Sequence, residues 1–277
     1  MKIIFFIATL LISACSFNQQ SYVDSSGDEE FLIYDSNSNK HINYELFLNE
    51  LVKADIVLIG EIHTEKSHHK IEKKLLVDLS NLKKISVVLE MGDISQQGIW
   101  NQVKLNTAKI KPNQLSKAIN WNEKWDYSLY KDIVEPIFYS DMTPIAGNLS
   151  KEEIVTIYKG AQPIYGTISN TAEVKSMIKD RLVAQHSISD NALVDKMVQI
   201  QQYKDRRMAD KLVNQNKLAV LIAGRLHVNK LMGVPLHIEE FNKNKIYKVV
   251  VLGHVSDSKE EKQKIFTDFY IETKNSK

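Results

Sequence analysis

Six short segments of the sequence are continuously apolar, and this feature constrains the fold more than any other. They read FLIY, DIVLIG, ISVVLEM, PIAGN, KLAVLIAG and YKVVVLG and cover residues 31–34, 55–60, 85–91, 144–148, 217–224 and 247–253. A strand with one face in water alternates apolar and polar residues, whereas a strand covered by helices on both faces does not. The segments therefore predict an α/β fold, in which a mostly parallel β-sheet is flanked by helices.

Amphipathic stretches between the apolar segments predict the helices. Ser150 and Glu153 have the spacing of a capping box, in which each side chain binds the backbone N–H of the other residue, so a helix is expected to begin at Lys151. A longer helix is expected over residues 190–214. Its expected buried stripe consists of Leu193, Met197, Ile200, Met208 and Leu212.

The predicted elements divide the chain into a core domain and a smaller subdomain. Residues 161–214 contain no segment that resembles a buried strand, so they are predicted to form an all-helical subdomain. The segments 31–160 and 215–277 are predicted to form the α/β core. A chain of 277 residues is long enough for this arrangement.

The charge balance argues against a nucleic-acid-binding function. The chain has 36 Lys and Arg residues against 34 Asp and Glu residues, which gives a net charge of +2. The basic residues are interleaved with acidic ones rather than clustered, so no surface is expected to match the charge density of a nucleic acid.

The N-terminal residues resemble a bacterial export signal. Met1 and Lys2 are followed by an apolar stretch that is about half as long as a membrane-spanning helix. The stretch ends in LISAC, which resembles the lipobox of bacterial lipoproteins, where a signal peptidase cleaves before the cysteine. Residues 1–14 are therefore predicted to be a signal peptide, and Cys15 is predicted to be lipidated. The alternative is an ordinary signal peptide that happens to precede a cysteine.

The predicted lipid anchor assigns the protein to a membrane surface. Cys15 is the only cysteine, so it has no partner for a disulfide within the chain. Ser16, which follows it, is not acidic, and this resembles an outer-membrane sorting signal. Residues 15–30 are rich in Ser, Gln, Asn and acidic side chains and are predicted to form a flexible tether. We therefore expect an outer-membrane lipoprotein that faces the periplasm.

Reactive side chains lie at the ends of three predicted strands. Glu61 and His63 follow the second apolar segment, Glu90 lies at the end of the third, and Arg225 and His227 follow the fifth. In an open parallel sheet, ligands bind beyond the carboxyl ends of the strands, so these groups are predicted to share a pocket. The alternative for each of them is a helix cap or a solvated loop residue.

The same side chains suggest a metal centre. A zinc or manganese site is conceivable with the ligands Glu61, His63, Glu90 and His227. The spacing of His63, His68 and His69 lacks the i, i+4 pattern of helical metal sites. Because His68 and His69 are adjacent, at most one of them is expected to face the pocket.

Residues 121–130 contain two tryptophans and two tyrosines in ten positions. Tyr127 and Tyr130 have i, i+3 spacing and share a face of the predicted helix. Such a group most often belongs to a hydrophobic core. In an exported protein it also suits ferric haem, because a phenolate oxygen is a hard axial ligand and aromatic walls fit a flat porphyrin. The predicted subdomain contains donors for the haem propionates, namely Lys175, Lys179, His186, Lys204 and Arg206.

Several blocks of the sequence together resemble the ChaN family of haem-binding, iron-regulated bacterial lipoproteins. The blocks span most of residues 31–253 and read DIVLIGEIHTEKSHHKIEKKLLVDL, VVLEM, WDYSLYKDIV with PIAGNLSKEE, AQHSISDNALVDKMVQIQQYKDRRMADKLV and LIAGRLHVNKLMGVPLHI. The resemblance implies an α/β domain with a small helical domain. It also implies a homodimer that holds haem at the subunit interface, with a tyrosine of one subunit on the iron and a histidine and a lysine of the other on the propionates.

The family's motifs imply which residues of this chain make those contacts. The motif tyrosine falls on Tyr130 and the motif histidine falls on His186. Lys204 stands where the family often has arginine, and it is the lysine expected at a propionate. The alternatives to Tyr130 that remain open are Tyr127, Tyr158 and Tyr165.

The leading hypothesis is a haem-binding outer-membrane lipoprotein in haem and iron acquisition, without enzymatic activity. Its expected partners are haem, a second copy of the chain and an outer-membrane haem receptor. The Gly-Glu-x-His and Gly-x-x-His signatures also resemble a wider superfamily that includes metal-dependent proteases and erythromycin esterases. The alternative is therefore a surface-anchored hydrolase with a metal-bound water, whose centre consists of Glu61, His63, Glu90 and His227. A third hypothesis is a scaffold lipoprotein that docks to a receptor.

Overall fold

A computed structural model describes residues 22–23, 30–186 and 190–273. The strands are β1 (Tyr22–Val23), β2 (Glu30–Asp35), β3 (Lys40–Ile42), β4 (Ile56–Glu61), β5 (Ile85–Asp93), β6 (Thr143–Asn148), β7 (Leu218–Gly224), β8 (Tyr247–His254) and β9 (Phe269–Thr273). The α-helices are α1 (Tyr44–Leu51), α2 (Lys66–Leu82), α3 (Gln97–Asn106), α4 (Pro112–Ala118), α5 (Tyr127–Tyr139), α6 (Lys151–Tyr158), α7 (Ala172–His186), α8 (Asn191–Val213) and α9 (Val234–Asn242). Short 3₁₀ helices cover Ile94–Gln96 and Thr107–Lys109.

Two sequence predictions concern residues outside the described ranges. The predicted signal peptide of residues 1–14 and the lipidation site Cys15 lie there, together with most of the predicted tether. Within the tether, Tyr22–Val23 pairs with β2 in antiparallel orientation. Of the helices in the described part of the chain, none is long and apolar enough to cross a bilayer.

The described strands form one sheet, and most of it is parallel. The strand order is β1-β2-β9-β8-β4-β7-β5-β6, and β3 also pairs with β2. Neighbouring strands from β9 to β6 are parallel, whereas β2 is antiparallel to β1, β3 and β9. All six apolar segments are strands, so the predicted α/β class with a mostly parallel sheet is confirmed.

Helices cover both faces of the sheet, which explains why its strands do not alternate in polarity. In β4, Val57 and Ile59 belong to a core that contains side chains of α1 to α5. Ile56 and Leu58 point to the other face, where side chains of α8 and α9 cover them. A side chain on either face is therefore removed from water, and an apolar residue is favoured at every position of the strand.

The helical region has a small core of its own. Side chains from α7 and the first half of α8, including Ile178, Leu182, Val194 and Val198, pack together with Met232. The second half of α8 packs on the sheet instead. The long helix α8 therefore joins the two parts of the protein, and its middle passes over the carboxyl ends of the central strands.

Helix starts agree with the sequence predictions, but the buried face of α8 differs. The capping box of Ser150 is present, and α6 begins at Lys151 as predicted. Leu193, Met197 and Ile200, which were predicted to be buried in α8, are only half-buried. The fully buried stripe instead consists of Val194, Val198, Gln202, Asp205, Met208, Ala209 and Leu212. Two residues of this stripe, Gln202 and Asp205, are polar. A prediction from apolar residues alone therefore placed the buried face of α8 at a different angle around the helix.

Candidate functional site

A cavity of about 630 Å³ lies between the carboxyl ends of the central strands and helices α7 and α8. Its volume is in the range of small-molecule binding sites. The strand ends and the loops after them contribute Glu61, Ile62, His63, Glu90, Gly224, Arg225, Leu226 and His227. The helices and the loop before α9 contribute Ile178, Arg181, Leu182, Ala184, Gln185, Gln201, Lys204, Asp205 and Met232. The predicted pocket residues Glu61, His63, Glu90 and His227 are thus brought together.

Glu61 is the centre of a hydrogen-bond network at the floor of the cavity. Its Oε1 accepts a hydrogen bond of 2.8 Å from the hydroxyl of Tyr130 and lies 2.8 Å from Nδ1 of His63. The His63 ring packs edge-on against Trp125, with ring centroids 4.7 Å apart. Because β4 is buried on both faces and ends at Glu61, the direction of this carboxylate is fixed by the sheet.

Glu90 and Asp205 hold His227 between them on the other side of the floor. The Nε2 atom of His227 lies 3.1 Å from Oε1 of Glu90, and its Nδ1 atom is hydrogen-bonded to Asp205. The second oxygen of Glu90 accepts a 2.8 Å hydrogen bond from the backbone N–H of Gly224. Both ring nitrogens of His227 therefore face carboxylates, which favours the doubly protonated imidazolium.

The electrostatics agree with this arrangement. Burial alone would lower the pKa of His227, but the carboxylates of Glu90 and Asp205 raise it to about 10. Burial alone would raise the pKa of Glu61, but its contacts with His63 and His69 lower it to about 2. The floor thus combines ionised carboxylates with at least one imidazolium, and these charges are largely shielded from water.

The adjacent residues His68 and His69 lie behind the floor and do not line the cavity. Nδ1 of His68 accepts a hydrogen bond of 3.0 Å from the backbone N–H of Ile62. Burial lowers the pKa of His68 to about 3, so the ring is the neutral acceptor that this bond requires. Nε2 of His69 lies 2.6 Å from Oε2 of Glu61.

The three residues predicted to contact haem differ in where they lie relative to the cavity. Tyr130 is a core residue that is only 1% exposed, and its hydroxyl is engaged by Glu61 and His63. Lys204 lines the cavity. His186 is the last residue of α7, and its side chain lies outside what the structure describes.

The other predicted propionate donors, Lys175, Lys179 and Arg206, do not line the cavity. Lys175 and Lys179 line a separate groove of about 400 Å³ between α7 and α8. Lys179 forms an ion pair of 3.0 Å with Asp195. Arg206 pairs with Glu240 at 3.1 Å and packs on Phe241.

Sequence reasoning missed several polar residues of the site. Asp205 and Gln201 lie one turn apart on α8, and the Gln201 amide nitrogen is 3.0 Å from Nδ1 of His227. Arg181 reaches the cavity from α7. The signal that could have revealed Asp205 is a carboxylate at a helix position that continues an apolar stripe, where only a paired charge is tolerated.

The fold and the site define the class of the protein. It is an open α/β protein with a polar pocket at the carboxyl ends of its parallel strands, and helices α7 and α8 line the other side of this pocket. The sequence model of the family described as haem-binding uptake, Tiki superfamily, ChaN matches residues 47–238. The chain therefore belongs to this haem-binding family. The family resemblance predicted from the sequence is confirmed.

One solved structure supports the assignment, and two more distant ones are similar to part of the fold. The structure described as cofacial haem binding to ChaN of Campylobacter jejuni is 36% identical in sequence, with a TM-score of 0.83, and the match covers 88% of this chain and 97% of that one. A mutant erythromycin esterase in its open conformation is 15% identical, with a TM-score of 0.49 and coverages of 87% and 83%. A type III effector is 10% identical, with a TM-score of 0.48 and coverages of 83% and 92%. Among curated proteins, none matches the chain significantly.

Proposed function

We propose that the protein binds haem at the mouth of the cavity and serves in haem and iron acquisition. The observation that carries this proposal is the composition of the mouth. Ile178, Leu182 and Met232 provide an apolar wall, and the cations Arg181 and Lys204 lie beside it. A porphyrin is a flat apolar plate with two carboxylates on one edge, so it requires both kinds of surface next to each other.

The charges of the floor determine how haem would enter. Glu61 and Glu90 are ionised at the bottom of the cavity, and they repel the propionates. The propionate edge therefore stays at the mouth, where Lys204 and Arg181 neutralise it.

We propose a tyrosine as the axial ligand, and the burial of the two side chains favours Tyr165 over Tyr130. The Tyr130 hydroxyl is buried, and desolvation together with the charge of Glu61 raises its pKa far above the ordinary value, which opposes a phenolate. Haem iron could reach this oxygen only by displacing Glu61 and His63. Tyr165, in the loop between α6 and α7, is 90% exposed and needs no such rearrangement.

A hemin titration followed by the Soret absorption tests the ligand. We expect Tyr165→Phe to lose the spectrum of tyrosine-ligated ferric haem and Tyr130→Phe to keep it. The opposite result would return the role to Tyr130. An unchanged spectrum in both variants, and in Tyr127→Phe and Tyr158→Phe, would exclude tyrosine ligation.

We propose that haem lies between two copies of the chain. A tyrosine as exposed as Tyr165 can extend beyond its own subunit, whereas Lys204 is fixed on the cavity wall. Haem that contacts both subunits binds the dimer more tightly than the monomer, so dimer formation should increase with haem concentration by mass action. Analytical ultracentrifugation with and without hemin measures this directly.

We propose that the protein is an outer-membrane lipoprotein that receives haem from a membrane receptor. The support is the lipobox-like LISAC sequence and the absence of a second cysteine that would give Cys15 another role. In cells fed a labelled fatty acid, we expect the label in the wild-type protein and its loss in Cys15→Ser. A labelled variant would show that the cysteine is not the anchor.

A second candidate function is hydrolysis by the buried network of Glu61, His63, Glu90 and His227. The observation in its favour is the close acid–base contacts of these groups at the floor of a cavity. His227 is poorly suited to bind a metal there, because both of its nitrogens face carboxylates. Ester or peptide hydrolysis that disappears in His227→Gln but persists in Tyr165→Phe would favour this function over haem binding.

A further inference from the structure

Behind the floor of the cavity, Glu61 meets two polar side chains of α2. His69 and Glu72 lie one turn apart on the buried face of this helix. A nitrogen of His69 and one carboxylate oxygen from each of Glu61 and Glu72 all lie within 4.8 Å of one another. The three residues are at most 3% exposed, so bulk water does not neutralise the cluster.

Glu72 has unsatisfied hydrogen-bonding groups in this cluster. Neither of its carboxylate oxygens has a hydrogen-bond partner in the described part of the chain. The same is true of Oε2 of Glu61 and of both ring nitrogens of His69, since the 2.6 Å contact between His69 and Glu61 lacks hydrogen-bond geometry. A buried carboxylate without a partner is strongly unfavourable, so Glu72 must take up either a proton or a cation.

The surroundings of Glu61 orient it toward the cluster. Tyr130 and His63 both engage its Oε1 atom, at 2.8 Å each. Its Oε2 atom is left facing His69. Outer contacts that fix one oxygen of a carboxylate and leave the other available are typical of ligands in metal sites.

We propose that Glu61, His69 and Glu72 bind a buried divalent cation, either Zn²⁺ or Mn²⁺, at a structural site separate from haem. Two carboxylates and one imidazole form a donor set that both ions accept. Ligand atoms at about 2.0–2.2 Å from one ion lie about 3 to 4.4 Å apart, so the three residues are close enough to share an ion once the 2.6 Å contact between His69 and Glu61 widens. The ion offsets the charge of the carboxylate oxygens that have no hydrogen-bond partner among the described residues, namely Oε2 of Glu61 and both oxygens of Glu72.

This site differs from the metal centre that the sequence suggested. It shares Glu61 with that set but takes its other ligands from α2 rather than from the strand ends. Burial and the charge of Glu61 raise the pKa of Glu72 well above its ordinary value, so a proton is the competitor of the cation here. The substitution Glu72→Gln separates the two cases. If Glu72 is protonated, an amide replaces it without loss of stability; if it binds a cation, the amide removes the ion.

The test is metal analysis of the purified full-length protein, without haem and after equilibration with Zn²⁺ or Mn²⁺ and removal of free metal. We expect close to one ion per chain in the wild type. Glu72→Gln and His69→Ala should retain less than about a tenth of that amount, because each loses a ligand. A chelator should lower the Tm of the wild type and leave the Tm of Glu72→Gln unchanged.

His237→Gln is the matched control, because His237 is another buried histidine whose Nδ1 has no hydrogen-bond partner in the described ranges, but it lies outside the cluster. It should retain the ion. The proposal is overturned if the wild type binds neither metal, or if the ion persists in Glu72→Gln. It is also overturned if Glu72→Gln is as stable as the wild type and the chelator does not change the Tm of either, since this identifies a shared proton. Hemin titration of the same samples reports separately on the haem proposal.

Discussion

At the residue scale, two tyrosines of α5 occupy one aromatic cluster but have different hydroxyl environments. Tyr127 and Tyr130 both contact Trp121, at centroid distances of 5.5 and 5.9 Å. The Tyr130 hydroxyl donates to Glu61, whereas the Tyr127 hydroxyl is buried and has no hydrogen-bond partner among the described residues. Because a Tyr→Phe substitution keeps the ring in place, it tests each hydroxyl separately from the packing of its ring.

We predict that Tyr130→Phe lowers the free energy of unfolding by about 1–3 kcal/mol, because it removes a donor from a buried carboxylate. Tyr127→Phe should be neutral or stabilising, since it removes a polar atom that has no partner. Chemical denaturation of both variants at one pH measures the difference. Equal losses of stability would show that the Tyr130 hydroxyl contributes nothing specific.

His237 provides a pH-dependent test of buried charge. Burial lowers its pKa to about 4, against a small opposing effect of Glu240. Because the folded-state pKa lies below the value of about 6.5 in unfolded chains, the unfolded state binds the proton more readily. The stability contributed by neutral His237 is therefore present above pH 6.5 and is lost as the pH falls toward 4.

We predict that His237→Gln flattens the stability profile between about pH 6.5 and 4, by on the order of 3 kcal/mol relative to the wild type. Denaturant midpoints measured across this range give the two slopes. His41→Gln is the control, because His41 lies in β3 at the edge of the sheet and is much less buried. Parallel profiles for the wild type and His237→Gln would rule out His237 as a source of acid sensitivity.

At the element scale, the end of β7 depends on the absence of a side chain. A Cβ atom added at Gly224 would lie 2.8 Å from Nε2 of His63. The backbone N–H of Gly224 also binds Glu90, so the strand cannot move away without breaking that bond. At Gly98, in the first turn of α3, an added Cβ would have nothing within 4 Å.

We therefore predict that Gly224→Ala destabilises the protein by about 1–3 kcal/mol, because it overpacks a site whose neighbours are fixed. Gly98→Ala should be neutral or stabilising by up to about 1 kcal/mol, since alanine loses less conformational entropy in a helix. Thermal unfolding of the two variants compares them directly. A Gly224→Ala protein as stable as Gly98→Ala would show that His63 moves aside at no cost.

The elements of the fold were predictable to the extent that apolar patterns define them. Six strands and the starts of α6 and α8 agree with the sequence prediction. Strand β9 was missed because it contains the charged residue Glu272. Its carboxylate forms an ion pair of 2.8 Å with Lys262, which lies ten residues earlier in the chain. The local sequence of β9 does not show that Lys262 will pair with Glu272. A strand that buries a charged residue therefore looks like a loop in the sequence.

The site was predictable where reactive residues end a strand and was not where they come from a helix. Glu61, His63, Glu90 and His227 meet because parallel strands end at one edge of the sheet. Asp205 and Glu72 belong to buried helical faces, and their positions depend on how α8 and α2 pack. The motif that names Tyr130 as a ligand contains no information on its burial, which depends on the tertiary structure.

At the scale of the whole molecule, the proposed haem site requires residues from two subunits. In a symmetric dimer, the surface that presents Tyr165 on one copy meets the cavity mouth of the other, and the reverse contact is equivalent. Two sites then form, and each combines Tyr165 of one subunit with Lys204 of its partner. A site within one subunit would combine both residues of the same chain.

Mixing two inactive variants distinguishes these arrangements. We predict that Tyr165→Phe and Lys204→Glu each bind haem poorly alone, the first for want of an iron ligand and the second because it repels a propionate. In a mixed dimer, one site carries both substitutions and the other carries neither. An equal mixture should therefore recover about a quarter of the wild-type sites, because half of the dimers are mixed and half of their sites are intact.

The recovered sites should have the Soret spectrum of the wild type and should appear only in the dimer fraction of a size-exclusion separation. Two differently tagged copies of the inactive variants serve as the control for subunit exchange, because one tag then co-purifies with the other only from mixed dimers. No recovery in a mixture whose subunits exchange would mean that both contacts come from one chain. Haem would then bind each subunit independently, and hemin would leave the ratio of dimer to monomer unchanged.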